Sequence, residues 1–324
     1  MDNNYIYAGT LAKVLEKKLL SENQKELLVG AKSVPEMFKV LHNTYIAPFL
    51  SKEDPDSIID ALDKSIVQAK DALKKMSPKP KSLEILWIKY DFYNLKTIVK
   101  GKRASLSTED IIDLCYNCGI YTPQEMLKSF ERKTLSFLHN NFEKASAEAM
   151  ETAEIFNIDR IMSRYYFESI CDISKNSKDP FVKEFVTLLI DLYNVKAALR
   201  VPLIPGLEEK HVFIEGGTFK QEDLDTREGS LKQLRKRFGG KGHWSKILED
   251  FNGESYVALE KELDQHEMNF LKEKSLIPFS SASLFSYFKA QKNNAQIIGT
   301  ILTAKRASMK EKDLRTILRS SYIA

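Results

Sequence analysis

Cys115 and Cys118 form a C-x-x-C pair, the spacing at which two thiolates can grip one metal ion or exchange as a disulfide. A structural zinc needs four ligands, and the one other cysteine, Cys171, makes no second pair. The pair lies in an apolar pattern of helical period, Ile111 to Cys118, which predicts two buried helix cysteines rather than a metal or redox centre. His42, His139, His211, His243 and His266 are scattered, and no H-E-x-x-H, G-x-S-x-G or G-x-G-x-x-G occurs. Gly239-Gly-Lys-Gly242 has the wrong spacing for a phosphate-cradling loop and lacks the hydroxyl that holds magnesium, so it reads as a loop. Glu148, Glu151 and Glu154 could meet acids from other helices in a metal-dependent hydrolase, but their three-residue spacing predicts a solvated helix face. The expectation is a protein with no catalytic residue, no metal ligand and no cofactor.

Binding chemistry has one local candidate. Lys232, Arg235, Lys236, Arg237 and Lys241, beside Trp244, are the densest run of positive charge and could meet a phosphate or an acidic protein surface. The alternative is a charged helix end followed by a loop, where cations suit the carboxyl-terminal dipole. Glu208, Glu209, Glu222, Asp223 and Asp225 nearly balance the region. Over the whole chain 49 basic residues face 45 acidic ones, a net charge of +4, so no nucleic-acid partner is expected.

A different polar set is repeated. Asp91-Phe-Tyr-Asn94-Leu-Lys96-Thr-Ile-Val-Lys100 returns as Asp191-Leu-Tyr-Asn194-Val-Lys196-Ala-Ala-Leu-Arg200, with Asp, Tyr, Asn and Lys identical. On a helix Asp91, Asn94, Ile98 and Lys102 share a face. An acid and an amide there serve either a partner or a buried network that bonds the main chain of a neighbouring helix end, and the repetition favours the network. A weaker third copy runs from Pro278 to Lys305, with Asn294 opposite Asp91, Ile297 opposite Asn94 and Lys305 opposite Lys102.

The elements that position these residues read as helices. Apolar residues recur at three and four, Gly and Pro total only 23, and Asp54-Pro55, Thr122-Pro123 and Asp179-Pro180 each place a cap before a proline suited to a first turn. Ser33 with Glu36 and Thr122 with Glu125 have capping-box spacing. Val212 to Phe219 is the one stretch that reads as extended chain or a glycine turn. Breaks at Ser77–Pro80, Gly101–Ser107, Val201–Gly206 and Gly239–Gly242 lead to an all-α chain of three helical repeats, 1–105, 106–204 and 205–324.

Composition is that of an ordinary globular protein, 43% apolar and 29% charged over 324 residues. No run reaches the roughly 20 apolar residues of a membrane helix. The opening Met-Asp-Asn-Asn lacks the features of a secretory signal, and three cysteines suit a reducing compartment, so a cytoplasmic location is expected.

Taken in order along the chain, these features resemble the central-stalk C subunit of bacterial and archaeal V-type (A-type) rotary ATPases, the counterpart of the d subunit in the eukaryotic V-ATPase. The resemblance rests on Tyr5-x-Tyr7, Ala12-Lys-Val14, Leu19-Leu20, Leu27-Leu28, Ala31-Lys-Ser33, Leu41 and Thr44-Tyr45, then Asp91-x-x-Asn94 to Lys102, Ile158-Asp159 to Tyr165-Tyr166, Gly216-Gly217, and Pro278-Phe279 to Lys305. Two departures stand out: Asn294 and Ile297 replace an acid and an amide, and the second copy ends at Pro202 where the first has Gly101-Lys102. The resemblance implies three related helical domains around a pseudo-threefold axis, forming a noncatalytic funnel. It also implies that one copy per complex joins the central shaft subunits (D and F) to the membrane proteolipid rotor ring, coupling ATP hydrolysis or synthesis to H+ or Na+ transport, peripherally attached to the membrane. A helical-repeat scaffold for an unrelated partner is the alternative.

Overall fold

The computed structural model describes residues 4–51, 54–200, 213–224, 226–239 and 256–322. All regular structure among them is helical: α1 (Asn4–Glu16), α2 (Glu22–Gly30), α3 (Val34–Leu41), α4 (Pro55–Met76), α5 (Glu84–Arg103), α6 (Thr108–Asp113), α7 (Pro123–Glu131), α8 (Asn140–Glu151), α9 (Ile155–Lys175), α10 (Pro180–Arg200), α11 (Arg227–Phe238), α12 (Tyr256–Lys274), α13 (Ala282–Arg306) and α14 (Glu311–Ile317). No strand occurs among the described residues, and none of their helices is long and apolar enough to cross a membrane.

The caps sit where their side chains require. Asp54 accepts the N–H groups of Asp56 and Ser57 at 2.9 Å and starts α4 at Pro55. Thr122 and Glu125 form a reciprocal box at the start of α7, and Asp179 accepts the N–H of Phe181 ahead of α10. Ser33 accepts the N–H of Glu36, but the Glu36 carboxylate turns to the N–H of Lys32, so that box is only half made. The chain ends three helices with non-glycine residues in the left-handed region, Ser105, Lys133 and Ser308 at φ 57°, 56° and 52°. Each is followed by the backbone bond that closes such a terminus: Leu106 to Gly101, Thr134 to Ser129 and Met309 to Ala304.

The chain divides into two compact units. One comprises Lys79–Asn194 with His211–Thr218. Here α5 packs against α7, α8 and α9, and α8 packs against α9. The centre is aromatic: Phe92 lies edge-on to Phe142 and Tyr166, Tyr121 meets Phe142, and Tyr166 continues through Phe167 to Tyr193. Gly101 admits α6, since a Cβ there would stand 2.6 Å from Cγ1 of Ile111.

The other unit comprises Met1–Pro78, Val195–Lys210 and Phe219–Ala324. Its spine is α13, which packs against α1, α2, α3, α4 and α12. The apolar core joins Leu28, Met37, Phe38, Leu41 and Ile58 to Ile297, Ile298, Ile301 and Leu302, with Leu314 of α14 closing one side. Fully burying each such side chain contributes about 1.5–3 kcal/mol.

Candidate functional site

The repeated polar residues are buried: Asp91, Asn94, Asn194 and Asn294 are 0% exposed and Asp191 is 3% exposed. A buried polar group left unpaired costs about 1–3 kcal/mol, so their partners decide what they do. Asn94 grips one residue by both main-chain groups, donating to the carbonyl of Tyr116 and accepting its N–H, each at 2.8 Å. One turn earlier on α5, Asp91 accepts the N–H groups of Ile120 at 2.9 Å and Tyr121 at 3.1 Å. The second copy repeats the arrangement. Asn194 donates to the carbonyl of Ile214 at 2.8 Å and accepts its N–H at 2.9 Å. Asp191 takes both the N–H and the hydroxyl of Thr218. In each case a carboxylate and an amide one helical turn apart fasten a segment 20 to 30 residues downstream.

Those segments are shaped to fit. Gly119 and Gly217 pass so close that a Cβ on either would overlap the carboxylate Oδ1 of Asp91 or Asp191. Gly216 turns the chain at φ 100°, so residues 213–219 form the glycine turn and not the extended alternative. The clamp also corrects the cysteine expectation. α6 ends at Asp113, and Cys115 and Cys118 flank Tyr116 in the turn that Asn94 holds rather than lying on a helix. Neither cysteine is in a disulfide, and burial pushes the Cys115 thiol up to about 11, away from the thiolate that metal or redox chemistry uses. Among the described residues no three His, Cys, Asp or Glu side chains converge as metal ligands.

Asn294 lies on α13, and neither atom of its amide has a hydrogen-bond partner among the described residues. The neighbouring Asn293 donates to the carbonyl of Ser320 at 2.9 Å, and Gln291 donates to Ser65 of α4 at 3.1 Å.

Two ion-pair joints were not anticipated from sequence. Lys96 and Lys100 of α5 meet Asp159 of α9 at 2.9 and 2.6 Å. Lys196 of α10 meets Asp264 of α12 at 2.8 Å, and Arg319 adds a second cation at 2.7 Å. Burial raises the pKa of each of these two carboxylates, but the paired cations outweigh it and hold both below the ordinary value. Identity of Lys96 and Lys196 within the repeat was the available signal.

The basic cluster falls on α11. Lys232 lies midway along it and Arg235, Lys236 and Arg237 in its last turn, and Arg237 sits over the Phe219 ring at 4.8 Å. Lys241 and Trp244 lie outside the described residues. Glu148 pairs with Arg164 and accepts from Tyr165, while Glu151 and Glu154 are exposed, so the three acids do not converge.

The class defined so far is an all-helical protein whose repeated helices carry side-chain clamps and ion-pair joints. The sequence profile of the ATP synthase (C/AC39) subunit family matches residues 8–317, nearly the whole chain, and the protein belongs to that family. Among its relatives, the C subunit of the A-type ATP synthase of Methanocaldococcus jannaschii is 22% identical, with 98% of this chain and 86% of the relative covered. That of Desulfurococcus sp. strain SY is 24% identical over 87% and 82%. The C subunit of the V-type sodium ATPase of Enterococcus hirae is 20% identical over 95% of each.

Proposed function

We propose that this chain is the noncatalytic central-stalk adaptor of a V/A-type rotary ATPase. It joins the shaft subunits to the membrane proteolipid ring and passes torque between ATP hydrolysis or synthesis and transport of H+ or Na+. It acts as one copy per complex, on the cytoplasmic side, held to the membrane through the ring. The observation that carries this reading is membership of the C/AC39 family along residues 8–317. An element under torque must resist shear between its helices, and the clamps of Asp91 and Asp191 with the joints at Asp159 and Asp264 supply directional ties that apolar packing lacks.

In the same reading the chain is three related copies, 1–105, 106–204 and 205–324, about a pseudo-threefold axis that encloses a funnel. Two observations support the repetition. Within one unit α5 of the first copy packs against α9 of the second. Within the other, α13 of the third copy packs against α4 of the first, and Lys196 of the second copy pairs with Asp264 of the third. Lys232, Arg235, Lys236, Arg237 and Lys241 are the proposed partner contact.

Affinity purification of the tagged chain from its own cells is the test. Recovery of shaft subunits and proteolipid is expected. A complex that lacks the chain yet still couples hydrolysis to ion transport overturns the reading.

A further inference from the structure

α14 stands to α2 as α6 stands to α7. Both α2 and α7 are nine-residue helices opened by a reciprocal capping box, Ser21 with Gln24 and Thr122 with Glu125. α5 packs against α7, α8 and α9, and α13 packs against α2, α3 and α4. Beyond these two long helices the chain keeps one constant offset. It relates the left-handed Ser105 and Ser308, the closing bonds Leu106 to Gly101 and Met309 to Ala304, the helix starts Thr108 and Glu311, and the buried Ile111 and Leu314. α6 then packs against α7, and α14 packs against α2. The difference lies in how each pair is joined. The turn held by Asn94 and Asp91 leads directly from α6 into α7, whereas α14 and α2 stand near opposite ends of the described chain.

Side-chain ties take the place of that link. Arg315 of α14 pairs with Glu26 of α2 at 2.8 Å, and Leu314 and Leu318 share one core with Leu28, Val29, Met37 and Phe38. The strap Leu318–Tyr322 then crosses three further helices. Arg319 donates to Asp264 of α12 at 2.7 Å, and Asn293 of α13 donates to the carbonyl of Ser320 at 2.9 Å. The buried Tyr322 hydroxyl lies against Ser286 of α13 and donates to Glu16 of α1 at 3.3 Å, while Lys272 of α12 stands over its ring at 4.9 Å. We propose that α14 and this strap form a noncovalent latch, which holds α2 closed against α13 and opens together with α2 as one unit, ahead of α7, α8 and α9. The inference rests on reading the chain as three related copies. A junction made only by side chains can part without moving the rest of the backbone, and such a segment belongs to the low-stability end of local opening.

Native-state amide hydrogen exchange on the purified full chain tests the latch. Arg319→Ala with Tyr322→Phe cuts the ties to α1 and α12 and one tie to α13, and touches no residue of α2. Exchange in α14 and α2 should quicken together by about tenfold, with α7, α8 and α9 unchanged. Acceleration confined to α14 would mean that the strap frays without holding α2, and overturns the proposal. So does an equal acceleration in α8 and α9, which marks a general loss of stability, and so does no change at all. Tyr322→Phe alone, which removes a single hydroxyl, should give the same pattern at smaller amplitude and serves if the double variant does not fold. Because the chain is measured free of partners, failure here leaves the rotor-adaptor reading standing, and failure of that reading in the purification leaves the latch to be judged by exchange.

Discussion

Gly119 brings its bare α-carbon against the carboxylate of Asp91, and Gly217 stands in the same relation to Asp191. The close approach lets a carboxylate reach N–H groups that lie one and two residues beyond the first glycine and one beyond the second.

Gly119→Ala and Gly217→Ala should each force the clamp apart and lower stability by about 1–3 kcal/mol, read as a shift of the denaturant midpoint. Gly101→Ala should cost a similar amount for a different reason, since its Cβ would stand 2.6 Å from Cγ1 of the buried Ile111, whose β-branched side chain has little freedom to move aside.

Asp91→Ala and Asp191→Ala remove the charged acceptor from the N–H groups of Ile120, Tyr121 and Thr218, and each should lower stability by about 1.5–3 kcal/mol for every hydrogen bond lost. Assembly with partners should fall only in proportion to unfolding. A variant that keeps its melting temperature but loses assembly would instead make these residues a partner contact.

Reversing charge at Arg235 and Arg237 should weaken binding to shaft or ring and flatten its loss with salt, while the melting temperature stays within about 2 °C of the parent. Assembly that is unchanged and indifferent to salt would remove α11 from the interface.

His139 caps α8 by accepting the N–H of Asn141 on Nδ1, which requires a neutral ring. Burial lowers its pKa below the ordinary 6.5, although Asp172 opposes the shift. The unfolded chain therefore takes up this proton more readily, and stability should fall as pH drops through about 6.5. Melting curves between about pH 7.5 and 5.5 should lose that component in His139→Asn, which keeps a capping oxygen without the titration.

The Asp264 carboxylate carries the opposite kind of proton linkage. Its pKa is depressed by Lys196 and Arg319 against the effect of burial, so its contribution is present above the ordinary carboxylate range and lost as pH falls through it. Asp264→Asn should flatten the acid limb of the stability curve.

Helix starts were readable because a cap and its N–H lie within three residues, as Asp54, Thr122 and Asp179 do. The repeated Asp and Asn were readable as a pair for the same local reason, through their spacing on one helix face. Their partners were not, because Ile120, Tyr121 and Ile214 are gripped by main-chain atoms, which every residue carries. Cys115 and Cys118 continued the helical period on paper, yet the amide of Asn94, more than 20 residues away, decides that the helix stops at Asp113.

The reach of the clamps bears on how the polypeptide could be divided for biochemistry. A break near residue 105 would part Asp91 from Ile120 and Tyr121, and one near 204 would part Asp191 from Thr218. The smallest piece able to satisfy its own buried carboxylate is a repeated helix together with its following turn. Fragments for isolated study would keep their polar interiors paired if they ended beyond Thr122 or beyond Thr218.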